Sequence, residues 1–360
     1  MSMDSSKGLR ADILIIGAGQ AGLAAANALR MAGLSFLMVD AGQVIGDSWR
    51  NRYDTLTLFT PRRISSLPGI PLIGDPDGYA TKDEFSDYLE RYAASNSYPI
   101  IRSTKVVRLE KVDGLFLAHL EGGGRLISQA VIVATGAFST PRTPEISYSM
   151  PSDIQQMHVA NFRNAGSITN GPVLVVGDGA SGRDAAIGLA ASHRALLARG
   201  RKRKLLPENI LGRSIWWWFE RLGLLRASAH GLIGRRMRKA DPFPTRSNDD
   251  ASLVRSGVSL KSRLVALEGR RARFEDGTSE YIGSIIWATG YDEDFRWIDI
   301  EGAVGSRHEA IHREGISPVA GLYYVGRPWQ RNRASGLIAG VADDAAFVVD
   351  HLCRLRAGRT

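Results

Sequence analysis

The 360-residue chain carries one cysteine, Cys353. An intramolecular disulfide is excluded, and so is a zinc site built on Cys-x-x-Cys pairs. A dithiol reductase, which needs two redox-active cysteines beside its flavin, is removed as well. The shortage fits a cytoplasmic protein. No apolar run approaches the ~18 residues of a spanning helix, so stable membrane insertion is not expected. The opening MSMDSSKGLR lacks the apolar centre of a secretory signal and reads as a frayed lead-in to the first strand. A Gly-x-Ser-x-Gly nucleophile elbow is missing. His158, His193 and His230 lack metal-ligand spacing, which leaves His158 as a weak catalytic candidate. With no protein nucleophile and no metal, a bound cofactor has to carry the chemistry.

Hydrophobic residues make up 44%, ordinary for a packed core, and the length suits two domains. The net charge is +9. Its short basic runs are Arg201–Lys204, Arg235-Arg236, Arg238-Lys239 and Arg270-Arg271. They read as solvated surface that also attracts anionic cofactors. No basic helix or aromatic-bearing RNA motif accompanies them, so nucleic acid is not an expected partner.

What is present is one device used twice. ILIIGAGQAG ends an apolar run in Gly17-x-Gly19-x-x-Gly22, and VLVVGDGASG repeats it with Gly177, Gly179 and Gly182. Each copy leads into a helix-like stretch. Far downstream each reaches a second apolar run ending in Ala-Thr-Gly, AVIVATG at Ala134-Thr135-Gly136 and SIIWATG at Ala288-Thr289-Gly290. The spans from first glycine to closing glycine are of nearly equal length. The fold expected is α/β: two Rossmann-like dinucleotide-binding domains, each with a parallel sheet and a β-meander. Residues 1–150 and 291–360 form the first domain and 151–290 the second, with an aromatic and basic insertion at 205–250.

In the first copy, strands are expected at Asp12–Ile16, Ser35–Asp40 and Ala130–Ala134, with helices at Ala21–Met31 and Phe85–Ala94. A meander spans Thr104 to Leu126, turning at Asp113-Gly114 and at Gly122–Gly124. In the second copy, strands at Val173–Val176, Ala195–Arg199 and Ile285–Ala288 accompany a helix at Gly182–Ala191. Its meander is Leu260–Leu267, Arg271–Phe274 and Ser279–Ile282. The final strand and helix, Gly321–Gly326 and Gly336–Leu352, are expected to fold back onto the first unit. The insertion, with Ile215-Trp216-Trp217-Trp218-Phe219, reads as a helical layer burying its aromatics. A substrate-tunnel wall or a membrane-surface face are the alternatives, the tunnel being favoured of the two.

The glycine spacing has a physical basis. The first permits a tight turn, the second admits a pyrophosphate, and the third lets the helix pack on the strand. The helix N-terminus then offers unpaired N–H groups to the phosphates. The residue ending the next strand separates the two sites. Asp40 in the first copy can accept hydrogen bonds from ribose hydroxyls and repels a 2′-phosphate. In the second copy Arg199 stands there, with no acid nearby in sequence, followed by Arg201. A guanidinium can clamp a 2′-phosphate. FAD is assigned to the first site and NADPH to the second. The loop Gly46–Arg50, with Ser48, Trp49 and Arg50, suits a pyrophosphate and ribityl chain. Gly326, with Gly336-Leu337 opening a helix, suits the pyrimidine end of a flavin.

On these motifs the chain resembles the flavin-containing monooxygenase superfamily, in the branch that holds plant indole-3-pyruvate monooxygenases and bacterial flavoproteins. The likeness also rests on Tyr53–Pro61, Leu206-Pro207, Leu211–Arg213, Leu322–Gly326 and Ser335–Val341. It implies FAD contacts at Gln20, Ala41, Thr60 and Val107 besides those above, with Thr60 a second weak catalytic candidate. It places Ala180 and Ser181 with the glycines at NADPH. The implied reaction is NADPH-driven reduction of FAD, then insertion of one O2-derived oxygen into a small organic substrate through a flavin C4a-(hydro)peroxide. Two departures stand out. The superfamily's Phe-x-Gly-x-x-x-His-x-x-x-Phe survives only at His158 and Phe162, and Pro61 replaces an active-site asparagine found in several members. They motivate an alternative, an FAD oxidase or dehydrogenase of an amine- or hydrazine-type substrate that releases H2O2. Arg213, Arg331 and Arg333 are candidates to receive an acid group of the substrate. The sequence leaves the oligomeric state open.

Overall fold

The computed structural model describes residues 9–169, 171–200, 205–240, 243–244 and 248–358. The first sheet is centred on the strand Leu9–Ile16, whose Ile13, Leu14, Ile15 and Ile16 are buried on both faces. That is the pattern of a parallel strand covered on two sides. It runs parallel to Leu37–Val39 on one side and to Arg125–Val133 on the other, and Ile100–Ile101 extends the edge beyond Leu37–Val39. Arg125–Val133 has two neighbours along its far side. Its first half pairs antiparallel with Leu115–Leu120, and its second half pairs parallel with Leu322–Tyr324. The expected third meander strand and the Ala130–Ala134 strand are therefore one continuous strand. Val106–Val112 completes the meander through a hairpin whose turn residues Asp113 and Gly114 both have positive φ, as a two-residue turn of that twist requires.

The second sheet is wholly parallel, in the order Ser259–Lys261, Ala195–Ala198, Val173–Val176, Ser284–Trp287, Gln155–His158. Its meander, Leu264–Glu268, Arg271–Phe274 and Ser279–Tyr281, is a separate three-stranded sheet. The stretch expected as one strand at 260–267 breaks after Lys261, because its two ends serve different sheets. The fold is thus α/β with two Rossmann-like units, each a parallel sheet with a meander. Each unit takes one strand from outside its glycine-to-Ala-Thr-Gly span, Leu322–Tyr324 in the first and Gln155–His158 in the second. The latter, with sequence QQMH, has no apolar run to announce it.

The helices Gln20–Met31 and Ile338–Ala357 pack together in one apolar cluster with Lys82–Ser95, so the C-terminal segment does return to the first unit. In the insertion, Ile215–Arg221 is a short helix. Its Trp216 is buried with Ile64, Leu225, Ala334 and Leu337, while Trp217 and Trp218 are half-buried. Trp216 therefore belongs to a core that joins the insertion to the first unit, and truncating a tryptophan so placed costs about 3–5 kcal/mol.

The two crossings between units run side by side. Thr140–Pro141, just after the first Ala-Thr-Gly, pairs antiparallel with Tyr291–Asp292, just after the second. Arg142 donates to the Thr289 carbonyl and accepts from the Thr289 hydroxyl through its own carbonyl. His158 pins the second crossing. Its Nδ1 accepts the Ala160 N–H at 3.1 Å, so the proton sits on Nε2, which donates to the Gly290 carbonyl at 3.0 Å. Burial holds its pKa below the ordinary 6.5. A buried neutral imidazole contributes stability that is complete above that ordinary value and is lost as pH falls through the lowered one. The wild-type protein should therefore lose more melting temperature than His158→Gln between about pH 7.5 and about pH 5, measured by thermal unfolding; equal losses would show that the ring does not titrate on unfolding.

Candidate dinucleotide sites

The two glycine turns superpose in their contacts. Gly17 has φ +101°, and a Cβ on it would sit 2.6 Å from the Ala134 carbonyl oxygen. Gly177 has φ +122°, with the Ala288 oxygen at 2.2 Å. A Cβ on Gly22 would meet the Gly17 oxygen at 1.9 Å, and one on Gly182 the Gly177 oxygen, again at 1.9 Å. These four glycines are required by the protein itself. Gly19 and Gly179 are different. Their φ values, −74° and −90°, suit any residue, and a Cβ on either meets nothing within 4 Å. Each is the N-cap of its helix and faces open space.

The helix ends sharpen the contrast. Lys82–Ser95 has a full capping box from Thr81 and Glu84, and Asp249 caps Asp250–Arg255. The helices that begin at Gln20, Ala180 and Ile338 have no side-chain cap. Their free N–H groups and positive dipole ends are left for another acceptor. An unobstructed cradle before an uncapped helix fits a pyrophosphate in both units. The third uncapped helix follows Gly336 and the buried Leu337, and Gly326 at the end of the returning strand lies against Ala21, its φ +86°.

Around the first cradle, Asp40 directly follows the strand Leu37–Val39. One carboxylate oxygen accepts from Ala18 N at 2.6 Å and the other from Gly42 N at 2.7 Å, which fixes the group beside the glycine turn and the exposed Ala41. Trp49 donates its indole N–H to the Gln20 amide oxygen at 3.1 Å, so the Gly46–Arg50 loop is tied to the first turn of the helix, and Ser48 is exposed. Arg50 turns away to Asp87 at 2.9 Å, with Glu90 and Asp47 farther off, and that contact raises its pKa. Val107 lies at the register shift between Val106, opposite Leu120, and Arg108, opposite His119, and so has no partner in the ladder. Thr60 is buried, its hydroxyl 2.8 Å from that of Ser65, which donates to the Pro61 carbonyl. Thr135 is exposed and Gly136 has φ +78°.

Around the second cradle a charged chain appears that single-residue reading missed. Arg199 follows the strand Ala195–Ala198, and its guanidinium pairs with Asp250 at 2.8 Å. The sequence suggested no acid near Arg199; the structure brings one from the first turn of a helix 51 residues on. Asp250 also accepts from Arg183 at 2.8 Å. Arg183 is 2% exposed, holds Asp178 of the glycine turn at 2.7 Å and donates to the Asn248 carbonyl at 2.8 Å. Asn248 continues to Asp184, and Asp184 accepts from Tyr53 of the first unit at 3.0 Å. Burial raises the pKa of Asp178 against the opposing pull of Arg183. Ala180 and Ser181 open the helix, half-buried. Arg201 lies outside the described residues, as do Lys202, Arg203 and Lys204.

Each arginine expected to receive a substrate acid lies over an aromatic ring. Arg213 lies over Trp217 and Arg333 over Trp329. Arg331 lies over Phe347, with its Nη1 3.2 Å from the Asp343 carbonyl and 3.6 Å from Asp344. Asp344 is fully buried in the C-terminal helix, and burial pushes its pKa up to about 6. An open basic concavity of about 630 Å³, lined by Ala229, His230, Arg235, Arg238 and Lys239, lies in the insertion rather than between the glycine turns. No helix among the described residues is long and apolar enough to cross a membrane, and no group of three metal-ligating side chains occurs among them.

Comparison with known proteins gives a consistent result. Residues 14–207 match the model of the pyridine nucleotide-disulphide oxidoreductase family. An uncharacterised CzcO-like oxidoreductase of Geobacillus kaustophilus is 40% identical over 95% of this chain and 98% of its own length. The indole-3-pyruvate monooxygenase YUCCA1 of Oryza sativa subsp. japonica is 28% identical over 87% of this chain and 86% of its own. A flavin-containing monooxygenase from Stenotrophomonas maltophilia has the same fold, with a TM-score of 0.82 over 96% of this chain and 99% of its own at 22% identity. Disulphide chemistry does not follow from the family's name, because Cys353 in the C-terminal helix has no second cysteine to pair with. By its two glycine turns, its paired sheets and these matches, the chain belongs to the pyridine nucleotide-disulphide oxidoreductase family.

Proposed function

We propose that the chain is an FAD- and NADPH-dependent monooxygenase of a small organic substrate. It is a flavin-dependent oxidoreductase whose cofactors are FAD and NADPH. FAD belongs to the unit of residues 1–150 and 291–360, and NADPH to 151–290. The observation that carries this reading is the pair Gly19 and Gly179. Neither its backbone conformation nor its neighbours demand a glycine, and each stands before an uncapped helix. The approach of a ligand phosphate is the remaining physical reason for a missing side chain.

The residues divide the work. The Gln20 helix end, with Asp40 fixed beside it, would hold the pyrophosphate and ribose of FAD. The Ile338 helix end would face the isoalloxazine and favour negative charge there. The Ala180 helix end would hold the nicotinamide dinucleotide's pyrophosphate, and Arg199 its 2′-phosphate. When bound, the flavin supplies hydride acceptance from NADPH and electron delivery to O2. His158 has both nitrogens occupied within the crossing between units, which favours a positioning role over proton transfer. Thr60, buried and bonded to Ser65 next to Phe59, whose ring meets Trp216, would shape the substrate side rather than act as an acid.

The oxidase or dehydrogenase of an amine- or hydrazine-type substrate is the second reading, favoured by Pro61 in place of the active-site amide. The two part on where oxygen goes. Incubation under 18O2 with a metabolite extract and NADPH should give an 18O-labelled product, with H2O2 well below the NADPH consumed. Unlabelled product with stoichiometric H2O2 would establish the oxidase instead. The cofactor assignment has its own test. Gly19→Val should purify folded but nearly colourless, whereas Gly179→Val should keep its FAD and lose reduction by NADPH. FAD retained by the first variant, or normal reduction of the second, would reverse or remove the assignment.

A further inference from the structure

We propose that Asp250 is a resident counter-anion of the nicotinamide site, which the 2′-phosphate of NADPH displaces from Arg199, and that Asp250 therefore sets how strongly the protein prefers NADPH over NADH. The inference rests on the reading that the second unit takes NADPH through Arg199.

Arg199 directly follows the strand beside the second glycine turn, where the adenosine ribose of a dinucleotide lies in this fold. Its guanidinium is already bonded, at 2.8 Å, to one oxygen of Asp250. The other oxygen of Asp250 is held by Arg183, also at 2.8 Å. The carboxylate thus occupies the guanidinium that a 2′-phosphate would use. Both members of the Arg199–Asp250 pair are substantially exposed, 36% and 50%, so parting them costs little. Arg183 is a different case, since it is 2% exposed and would be a costly lone cation. It stays paired with Asp178 at 2.7 Å and stays bonded to the Asn248 carbonyl, so Asp250 can leave without stranding a buried charge.

Displacement carries an electrostatic cost. A 2′-phosphate brings a charge of about −1.5 to −2, and Asp250 keeps its own −1 a few ångströms away. NADH has a neutral 2′-hydroxyl there, which can donate to the same carboxylate. Asp250 therefore weakens NADPH and not NADH. Its position at the start of a helix already capped by Asp249 means that an amide can replace it without loss of the cap.

The test is calorimetric titration of the FAD-loaded protein with NADP+ and with NAD+, for the wild type, D250N, D250S and R199A. The expected result is that D250N and D250S bind NADP+ about 5- to 10-fold more tightly than the wild type and NAD+ no more tightly. R199A should weaken NADP+ at least as much as the acid-to-amide change strengthens it. If R199A weakens NADP+ while both Asp250 variants leave it unchanged or weaken it, Asp250 merely positions Arg199 and the proposal is overturned. If R199A leaves NADP+ binding unchanged, the NADPH reading of this site falls and takes the proposal with it.

Discussion

The structure depends on a contact in which nothing intervenes between backbone and backbone. In each unit the third glycine of the turn lies against the carbonyl of the first, and the first lies against the carbonyl of the alanine in Ala-Thr-Gly. The distances leave no room for a methyl group. That contact seats the helix on the strand so that its first turn stands at the sheet's carboxyl edge, with free N–H groups pointing outward. It also ties the glycine turn to the far crossing, so the two features that recur in the sequence are in contact in space. Everything proposed for either nucleotide follows from this seat.

The glycine turns, the Ala-Thr-Gly strands and the return of the C-terminal helix were legible because each is local and periodic. The first meander was legible from its turn residues, Asp113-Gly114 among them, and the second from its three short strands. What escaped has a common cause. Gln155–His158 is a strand because a vacant sheet edge accepts it, not because its residues prefer to extend, and propensity carries no record of a vacancy. The fusion of the third meander strand with the sheet strand reflects one chain serving two partners in succession, which no window of sequence displays. At the second site, Arg199 was readable as a strand end, whereas its partner Asp250 and the bridge through Arg183 exist only once the helix at 250–255 is docked. Reading the neighbours of Arg199 along the chain suggested a free cation; its neighbours in space include an acid.

The insertion shows the same limit in a gentler form. Its three consecutive tryptophans invited a choice between core and contact surface. Trp216 is core, against Ile64 and Leu337, while Trp217 and Trp218 remain half-buried, one beneath Arg213 and the other bonded to the Ile210 carbonyl. Adjacent residues on a helix point in different directions, so one run of aromatics has two fates. The insertion meets the first unit at the segment that holds Thr60 and just before the C-terminal helix.

The uncapped helices bear on more than recognition. A helix whose first N–H groups lack acceptors is less stable than one that is closed, and the helices that begin at Gln20, Ala180 and Ile338 have no side-chain cap whereas those that begin at Lys82 and Asp250 do. On the proposed reading, the prosthetic group and the coenzyme supply the missing acceptors. Part of the native protein's cohesion is therefore supplied from outside the polypeptide, in proportion to how fully each nucleotide is loaded. On that reading, emptying the flavin site leaves those helix ends without acceptors, and the apo-protein would be the less stable form.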